Sequence, residues 1–207
     1  MAHSQIVFYT NPKSRGSIAR WMLEEIGVPY RTVVLDYGAP LQSPEYLEIN
    51  PMAKVPALVH GDRVVTETAA ICLYLADAFP EAGLAPPPGE RAAYYRWMAF
   101  GAGPLEAALT NRGLGVVVTP EQQTFVGYGD FDRVVRTLEG VLRTSPYLAG
   151  DAFSAADVFT GSQIGYALRF GAIEANPVFA TYWERVTARP AYTRSTAPLQ
   201  PETGGTT

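Results

Sequence analysis

The chain has 207 residues, 47% of them apolar and 17% charged, so it can bury a full core and lacks the composition of a disordered protein. A formal net charge of −4 argues against nucleic acid or an anionic membrane surface as the main partner. The single cysteine excludes an internal disulfide, and the two histidines, His3 and His60, predict neither a metal-ligand cluster nor a Ser-His-Asp triad. The sequence shows no secretory signal and no apolar run long enough to span a bilayer, so we expect a soluble cytoplasmic protein.

Strands and helices alternate in residues 1–79. The pattern predicts strands at residues 6–9 and 31–35, a hairpin at residues 55–65, and helices at residues 17–26, after Ser43 and from Glu67 onward. Because a helix joins the first two strands, they should pair in parallel, whereas the hairpin must be antiparallel. This part of the chain therefore predicts a small mixed sheet with helices on its faces.

The rest of the chain predicts helices alone. The proline-rich residues 80–89 form a linker, and residues 90–195 follow as an all-helical domain. Its predicted helices are a long one bent at residues 101–104, one opened by a capping box at residues 119–122, one capped by Ser154 and Asp157, and a last one from Asn176 that ends before Pro190. Residues 196–207, rich in Pro, Gly and Thr, are predicted to be a loose tail.

The stretch around Pro56 has the features of a binding site. Proline cannot donate to a strand ladder, so we expect a bend and a cis Val55–Pro56 bond, with free backbone groups at Val55. The helix that opens at Glu67 offers unpaired N–H groups and a positive dipole end, which accepts a carboxylate. Together these features suit an extended peptide with a carboxylate. A buried hairpin followed by an ordinary helix start explains the same residues.

Three motifs, in their order and spacing, resemble the cytosolic glutathione transferases, particularly the bacterial members. They are Val55-Pro56-Ala57-Leu58, Glu67-Thr68-Ala69-Ala70-Ile71 and Ser154-Ala155-Ala156-Asp157, and the segment Ser14-Arg15-Gly16-Ser17 is also similar. The resemblance covers nearly the whole chain. It implies an α/β thioredoxin-like domain in residues 1–79, an all-α domain in residues 90–195, and a glutathione S-transferase activity with glutathione as co-substrate.

The resemblance also assigns roles in binding glutathione. Val55 would pair through its backbone with the cysteinyl part of the tripeptide, beside cis-Pro56. Glu67 would take the amine of the γ-glutamyl end, Thr68 and its N–H the carboxylate, and Lys54 the glycyl carboxylate. Two of these residues have ordinary explanations as well, because a helix dipole favours an acid at Glu67 and Lys54 fits a solvated surface charge.

The implied activity requires glutathione to be held as a thiolate. A free thiol has a pKa near 8.5, and lowering it by about two units takes roughly 2.7 kcal/mol, which a hydroxyl hydrogen bond and a helix N-terminus can supply. The resemblance places this group after the first strand, where the candidates are Tyr9, Thr10, Asn11, Ser14 and Ser17. Counting from the strand end favours Ser14, and counting back from Gly27 falls on Arg15, a possible electrostatic helper. Ser14 or Ser17 also fits a plain helix N-cap.

The resemblance places a small hydrophobic electrophile between the domains. An aromatic stripe on the first helix of the second domain supplies candidate walls for it: Tyr94, Trp97, Phe100 and Gly101. Aromatic residues at helical spacing also fit a helical core. The family is usually homodimeric, so part of this aromatic surface could serve an interface.

Two other functions remain open from the sequence. One is a transferase-fold interaction module without catalysis, and the other is a carrier of apolar ligands. Cys72 lies among apolar residues of the Glu67 helix and is expected to be a buried structural thiol, which disfavours a catalytic cysteine. Conjugation, peroxide reduction and isomerisation cannot be distinguished from the sequence, nor can the electrophile be named.

Overall fold

The computed structural model describes residues 5–199, and the chain divides into two compact units. The first unit contains the chain up to Phe79 and again from Pro190 onward, and the second spans Pro80–Arg189. In the described part of the chain, every helix is too short or too polar to cross a membrane.

A four-stranded mixed sheet forms the base of the first unit. Its strands are β1 (Ile6–Thr10), β2 (Tyr30–Val34), β3 (Ala57–His60) and β4 (Arg63–Thr66). They lie in the order β2-β1-β3-β4, with β1 and β2 parallel and the other two pairs antiparallel. This arrangement confirms the mixed sheet and the thioredoxin-like domain that the sequence predicted.

Three helices of the first unit follow from local signals in the sequence. They are α1 (Gly16–Ile26), α2 (Pro44–Ile49) and α3 (Thr68–Ala78). The apolar positions Ile18 and Met22 give α1 a buried face, and Gly27 ends the helix with a left-handed φ of 69° that glycine adopts without strain. Ser43 caps α2, since its side chain accepts a hydrogen bond from the Tyr46 N–H.

The second unit is helical throughout its regular structure, as predicted. Its helices are α4 (Ala92–Phe100), α5 (Glu106–Gly113), α6 (Phe131–Thr144), α7 (Ala155–Arg169) and α8 (Pro177–Thr187). A π-helical turn at Gly101–Leu105 joins α4 to α5 and contains Pro104, which has no N–H to donate, so the α-helical pattern is interrupted at the residues where the sequence predicted a bend. Helix α7 packs against both α4 and α8 and is buried along most of its length.

The N-terminus of α7 carries the predicted capping box. Ser154 accepts a hydrogen bond from the Ala156 N–H, and the Asp157 carboxylate accepts from the Ser154 N–H at 3.0 Å. The same carboxylate also accepts from the Leu148 N–H at 2.9 Å and the Tyr182 hydroxyl at 3.0 Å. Asp157 therefore ties α7 to the preceding turn and to α8.

The prediction that a helix starts at residues 119–122 is wrong, although the apolar residues assigned to that helix do form one that begins later. The Gln122 side chain does accept from the Thr119 N–H at 3.0 Å, but only a single 3-10 turn, Gln122–Thr124, follows. The next helix, α6, begins after Asp130, whose side chain accepts from the Arg133 N–H. Gly129, whose φ of 69° lies in the left-handed region, interrupts the helical backbone conformation just before this cap.

The chain also forms a helix that was not predicted, α9 (Pro190–Thr196), where the sequence analysis ended the last helix before Pro190. Proline is well suited to the first turn of a helix, so Pro190 starts a new one. Helix α9 packs on α1, with the rings of Trp21 and Tyr192 4.9 Å apart, and belongs to the first unit. The second unit therefore ends at Arg189, earlier than the proposed boundary at residue 195. Residues 200–207 of the proposed tail, and His3, lie outside the described residues.

Candidate functional site

Three of the segments singled out from the sequence lie at one end of the sheet. Tyr9, near the end of β1, pairs with Ala57 at the start of β3, and Ala57 pairs with Thr66 at the end of β4. The loop that carries Ser14 leaves β1 at this end, the proline before β3 enters there, and α3 starts there. The register of the sheet thus brings together residues that are far apart in sequence.

The backbone at Val55 is open for hydrogen bonding. The Val55–Pro56 peptide bond is cis, as expected. Val55 is half-buried just before β3, and neither its N–H nor its C=O makes a hydrogen bond with another residue in the range 5–199. An extended ligand can pair with both groups as a neighbouring strand would.

Two buried donors hold the carbonyl of Lys54, next to Val55. The Tyr46 hydroxyl donates to this oxygen at 2.6 Å and the Asn50 Nδ2 at 2.8 Å. Burial raises the pKa of Tyr46 to about 12, so the hydroxyl stays protonated as a donor. Sequence reasoning missed both residues. The Asn50-Pro51 turn dipeptide was the one available signal, and it does not indicate what the Asn50 side chain contacts.

The N-terminus of α3 has the expected unpaired donors. Among residues 5–199, the N–H groups of Thr68, Ala69 and Ala70 have no acceptor, and the first helical bond runs from the Ile71 N–H to the Glu67 carbonyl at 2.9 Å. Thr68 is buried, whereas Glu67 is exposed and its carboxylate pairs with no described residue. Three parallel N–H groups at a helix N-terminus form a site for an anion.

Glu67 has a strained backbone. Its φ of 66° lies in the left-handed region, which a non-glycine residue occupies at a cost of about 1–3 kcal/mol. Such strain persists only where the surrounding structure compensates for it, and it concentrates at binding and catalytic sites. The conformation is therefore consistent with a functional role for Glu67 beyond that of an ordinary acid in a first helical turn.

Ser14 is fixed in the loop that leads into α1. Its Oγ donates to the Asn11 carbonyl at 2.7 Å and accepts from the Gly16 N–H at 2.9 Å. Gly16 has no room for a side chain, since a Cβ there would lie 1.9 Å from the Thr10 Oγ1 and 3.0 Å from the Ser14 Oγ. Arg15 is the exposed residue that precedes the first turn of α1. The prediction that Ser14 is the N-cap of α1 is wrong, because the N-cap is Arg15 and makes no side-chain cap hydrogen bond, but the Ser14 Oγ does accept the first N–H of the helix.

Asn11 and Thr10 hold this loop in place. The Asn11 Nδ2 donates to the Leu35 carbonyl and its Oδ1 accepts from the Lys13 N–H, both at 2.9 Å. Thr10 is buried and its hydroxyl points to the Asn11 carbonyl at 3.4 Å. These contacts commit both side chains to the shape of the loop, so neither is well placed to activate a thiol.

Ser17 and Tyr9 differ as thiol-activating candidates. The Ser17 hydroxyl donates back to the Ser14 carbonyl at 3.2 Å, within its own helical turn. Tyr9 is half-buried and packs against the cluster formed by Leu41, Tyr46 and Ala57, with its ring 5.7 Å from that of Tyr46, and its hydroxyl has no hydrogen-bond partner in the described chain. Tyr9 therefore lies beside Ala57, which follows Pro56, and keeps a hydroxyl that is available as a donor.

The charges at this end of the sheet are mixed. Lys13, Arg15 and Lys54 are exposed cations, and Glu67 is an exposed acid. Together with the helix N-terminus and the open backbone at Val55, they match an extended ligand that carries both carboxylates and an amine. Within residues 5–199, His, Cys, Asp and Glu side chains form no group that could hold a metal ion.

The residues proposed as electrophile walls are mostly buried. Tyr94 and Trp97 are 1% and 2% exposed, and Gly101 is buried. The Trp97 carbonyl accepts from the Thr160 hydroxyl at 2.7 Å, and a Cβ on Gly101 would lie 2.2 Å from that hydroxyl oxygen, so α4 needs glycine there to approach α7. Phe100 is half-buried and, of the four, is the one with a substantial exposed surface.

Cys72 is fully buried, and burial raises the pKa of its thiol above the ordinary range. A thiol of this kind is neither accessible nor ionised at neutral pH. Cys72 is therefore a structural residue of α3, as the sequence predicted.

Comparison with known proteins identifies relatives of both parts of the chain. Residues 4–77 match the family model described as glutathione S-transferase, N-terminal domain, and residues 119–190 match that described as glutathione S-transferase, C-terminal domain. Glutathione S-transferase 3 of Zea mays is 31% identical over 198 residues, covering 87% of this chain and 88% of the relative.

Solved structures show the same likeness. A glutathione transferase from Methylococcus capsulatus is 29% identical with a TM-score of 0.74, over 92% of this chain and 97% of that one. A theta class glutathione S-transferase from Xanthomonas axonopodis, solved with glutathione bound, is 28% identical with a TM-score of 0.72, over 94% of this chain and 98% of that one. These matches confirm the resemblance drawn from the three motifs.

Proposed function

Because the chain belongs to the glutathione S-transferase family, we propose that it joins the thiolate of glutathione to a small hydrophobic electrophile. One observation carries this proposal. The unpaired N–H and C=O of Val55 lie at the same end of the sheet as the unpaired N–H groups of α3. An extended tripeptide with a terminal carboxylate satisfies both sets of groups at once.

Each polar group of glutathione has a counterpart in this arrangement. The cysteinyl backbone pairs with Val55 beside Pro56, and the γ-glutamyl carboxylate binds the Thr68 N–H and hydroxyl. Glu67 binds the γ-glutamyl amine, and its exposed carboxylate is available because no described residue pairs with it. Lys54, whose ammonium also pairs with no described residue, binds the glycyl carboxylate.

Ser14 stabilises the thiolate. Its Oγ keeps the hydrogen bond from the Gly16 N–H while its own proton turns from the Asn11 carbonyl to the sulfur. The exchange is favourable because an anion is a stronger acceptor than a neutral carbonyl. The N-terminus of α1 and the Arg15 charge add to the preference for the anion. Tyr9, with its unpartnered hydroxyl, is the alternative donor.

The electrophile has one candidate contact among the four residues proposed from the sequence. Phe100 offers exposed aromatic surface, whereas Tyr94, Trp97 and Gly101 are buried and would have to move to touch a ligand. We therefore keep Phe100 alone as a substrate-binding residue.

A bound thiolate also serves peroxide reduction and isomerisation, so an activity screen should include a hydroperoxide. From the family resemblance we further propose that the protein is cytoplasmic and forms a homodimer, and sedimentation equilibrium would test the dimer.

The first test is calorimetric titration of the protein with reduced glutathione at neutral pH. We expect saturable binding with a micromolar to millimolar dissociation constant, weakened about tenfold or more by Glu67→Ala, since a hydrogen bond to a charged group is lost. Glu45→Ala is the matched control, because Glu45 is an exposed acid in the first turn of α2. Absence of binding to the unmodified protein would refute the proposal and favour the interaction-module alternative.

The second test measures turnover with a model electrophile. Ser14→Ala should lower turnover at least tenfold and raise the apparent pKa of bound glutathione, followed by the ultraviolet absorbance of the thiolate. Tyr9→Phe serves as the comparison and should leave that pKa unchanged. If the two variants behave in the opposite way, Tyr9 is the donor and the role given to Ser14 is wrong.

A further inference from the structure

The Lys54 carbonyl is held from two directions. The Tyr46 hydroxyl comes from α2 and the Asn50 amide from the residue that ends α2, at 2.6 and 2.8 Å from the same oxygen. The peptide group that contains this carbonyl also contains the Val55 N–H. A change in the orientation of the Lys54 carbonyl therefore turns the donor at Val55 by the same angle, because the peptide unit is planar.

Both donors are themselves fixed. Tyr46 is 3% exposed and packs with Leu41 and Ala57, and the ring of Tyr9 lies against it. Asn50 is also 3% exposed. Its second side-chain atom, Oδ1, accepts from the Met52 N–H at 3.1 Å, and its carbonyl accepts from the Ala53 N–H at 2.9 Å. The two side chains cannot follow a moving Lys54 carbonyl without losing this packing and these bonds.

We propose that Tyr46 is a positioning residue for glutathione, which sets the orientation of the Val55 N–H through its hydrogen bond to the Lys54 carbonyl, with Asn50 as the second support. The inference rests on the proposed function, since the ligand in question is glutathione. Tyr46 does not touch the ligand in this account. It keeps the Val55 backbone in the conformation that binds, so that binding need not order it.

The hydroxyl can act as a donor throughout the physiological pH range. Burial raises the pKa of Tyr46 to about 12, and the proton of the phenol is therefore retained. The contribution of Tyr46 to glutathione binding should not change between pH 6 and 9. This separates it from the contribution of a group that titrates with the thiol of glutathione.

The test compares two tyrosine-to-phenylalanine variants. Tyr46→Phe removes one donor from Lys54 and keeps the ring that packs with Leu41. Tyr30→Phe is the matched control, because the Tyr30 hydroxyl donates to the Glu24 carboxylate at 2.7 Å and its pKa is likewise raised to about 12, mainly by burial. Both variants lose one hydrogen bond within the same unit, but only the first loses it beside Val55.

Three measurements on the full chain decide the matter. Calorimetry with reduced glutathione should give a dissociation constant about threefold to tenfold higher for Tyr46→Phe and unchanged for Tyr30→Phe. With a model electrophile, Tyr46→Phe should raise the KM for glutathione by the same factor and leave kcat near that of the unmodified protein. Brief native digestion with trypsin should cut faster after the exposed Lys54 in Tyr46→Phe, relative to cutting after the exposed Arg133 in the same sample.

The outcomes separate this inference from the proposed function. If the unmodified protein does not bind glutathione, both fail. If it binds and Tyr46→Phe binds equally well, the proposed function stands and the positioning role is overturned. Equal weakening in both variants would also overturn it, because the effect would then come from general loss of stability. Weaker binding together with faster cutting after Lys54, in Tyr46→Phe alone, supports it.

Discussion

Asp157→Asn should cost the second unit a large share of its stability. Asp157 is buried, and its carboxylate accepts four hydrogen bonds, of which Oδ1 takes those of Leu148 and Tyr182 and Oδ2 takes both from Ser154. An asparagine of the same shape keeps one oxygen and replaces the other with an N–H₂ group. The N–H₂ group then faces either the donors of Leu148 and Tyr182 or those of Ser154, and it cannot accept a hydrogen bond from them.

The magnitude follows from the groups left unpaired. With the amide nitrogen toward Ser154, the buried Ser154 N–H loses its acceptor and the hydroxyl must turn. One unsatisfied buried donor and one lost bond to a charged group together cost about 2–4 kcal/mol. This is a large fraction of the ~5–15 kcal/mol that stabilises a typical domain.

Urea unfolding followed by circular dichroism measures this loss. Asp132→Asn is the control, because Asp132 is an exposed acid in the first turn of α6, and it should change the free energy of unfolding by less than about 0.5 kcal/mol. If Asp157→Asn costs no more than this control, the four bonds do not stabilise the unit as argued. Tyr182→Phe, which removes one of the four, should cost about 0.5–1.5 kcal/mol.

The cost should also depend on pH. Burial raises the pKa of Asp157 from 3.8 to about 6, although its hydrogen bonds act in the opposite direction. The folded state therefore binds more protons than the unfolded state between these values, and the contribution of Asp157 to stability falls as pH rises through this window. Asp157→Asn lacks this dependence. The difference in free energy of unfolding between the unmodified protein and Asp157→Asn should therefore be larger at pH 4.5 than at pH 7.5.

Two further predictions concern α1. Gly16→Ala should lower the free energy of unfolding by about 1–3 kcal/mol and reduce turnover, because the new Cβ would lie 1.9 Å from the Thr10 Oγ1. Adding Thr10→Ala should restore part of this stability, as measured by thermal unfolding. Arg194→Ala removes two hydrogen bonds to Glu24, at 3.0 and 2.8 Å, and should cost about 1 kcal/mol or less, since the Arg194 side chain is 53% exposed. Thermal unfolding at high salt should show a smaller loss of stability for Arg194→Ala and an unchanged loss of stability for Gly16→Ala.

The parts of the fold that could be predicted are those with local signals. The apolar face of α1, its glycine end and the serine caps of α2 and α7 are each written within a few neighbouring residues. The Ser154–Asp157 pair is an example, since two residues three positions apart specify both the cap and its partner. The parallel pairing of β1 and β2 followed from the helix between them, because such a connection permits no other simple arrangement.

The features that were missed depend on contacts between distant residues. The capping bond at Thr119 forms as predicted, but a cap does not determine how many turns follow it. Helix α9 is short and gains its stability from packing on α1, which lies at the other end of the chain. The Tyr46 hydroxyl reaches Lys54 only because the chain turns back after α2, and no spacing rule in the sequence specifies that turn.

The two roles of Ser14, capping the Gly16 N–H at the start of α1 and donating to the thiolate, are compatible because a hydroxyl has one proton and two acceptor sites. In the structure the Gly16 N–H occupies one acceptor site, which fixes the oxygen at the start of α1 and leaves the proton on the Asn11 carbonyl. A thiolate near this oxygen competes for the proton without disturbing the cap. Replacement by alanine would remove both roles, so loss of activity in Ser14→Ala has to be compared with its loss of stability. Ser14→Thr keeps the hydroxyl and with it both roles, so it should retain the depressed thiol pKa even where the added methyl group slows turnover, and loss of that depression in Ser14→Thr would contradict the thiolate-donor role.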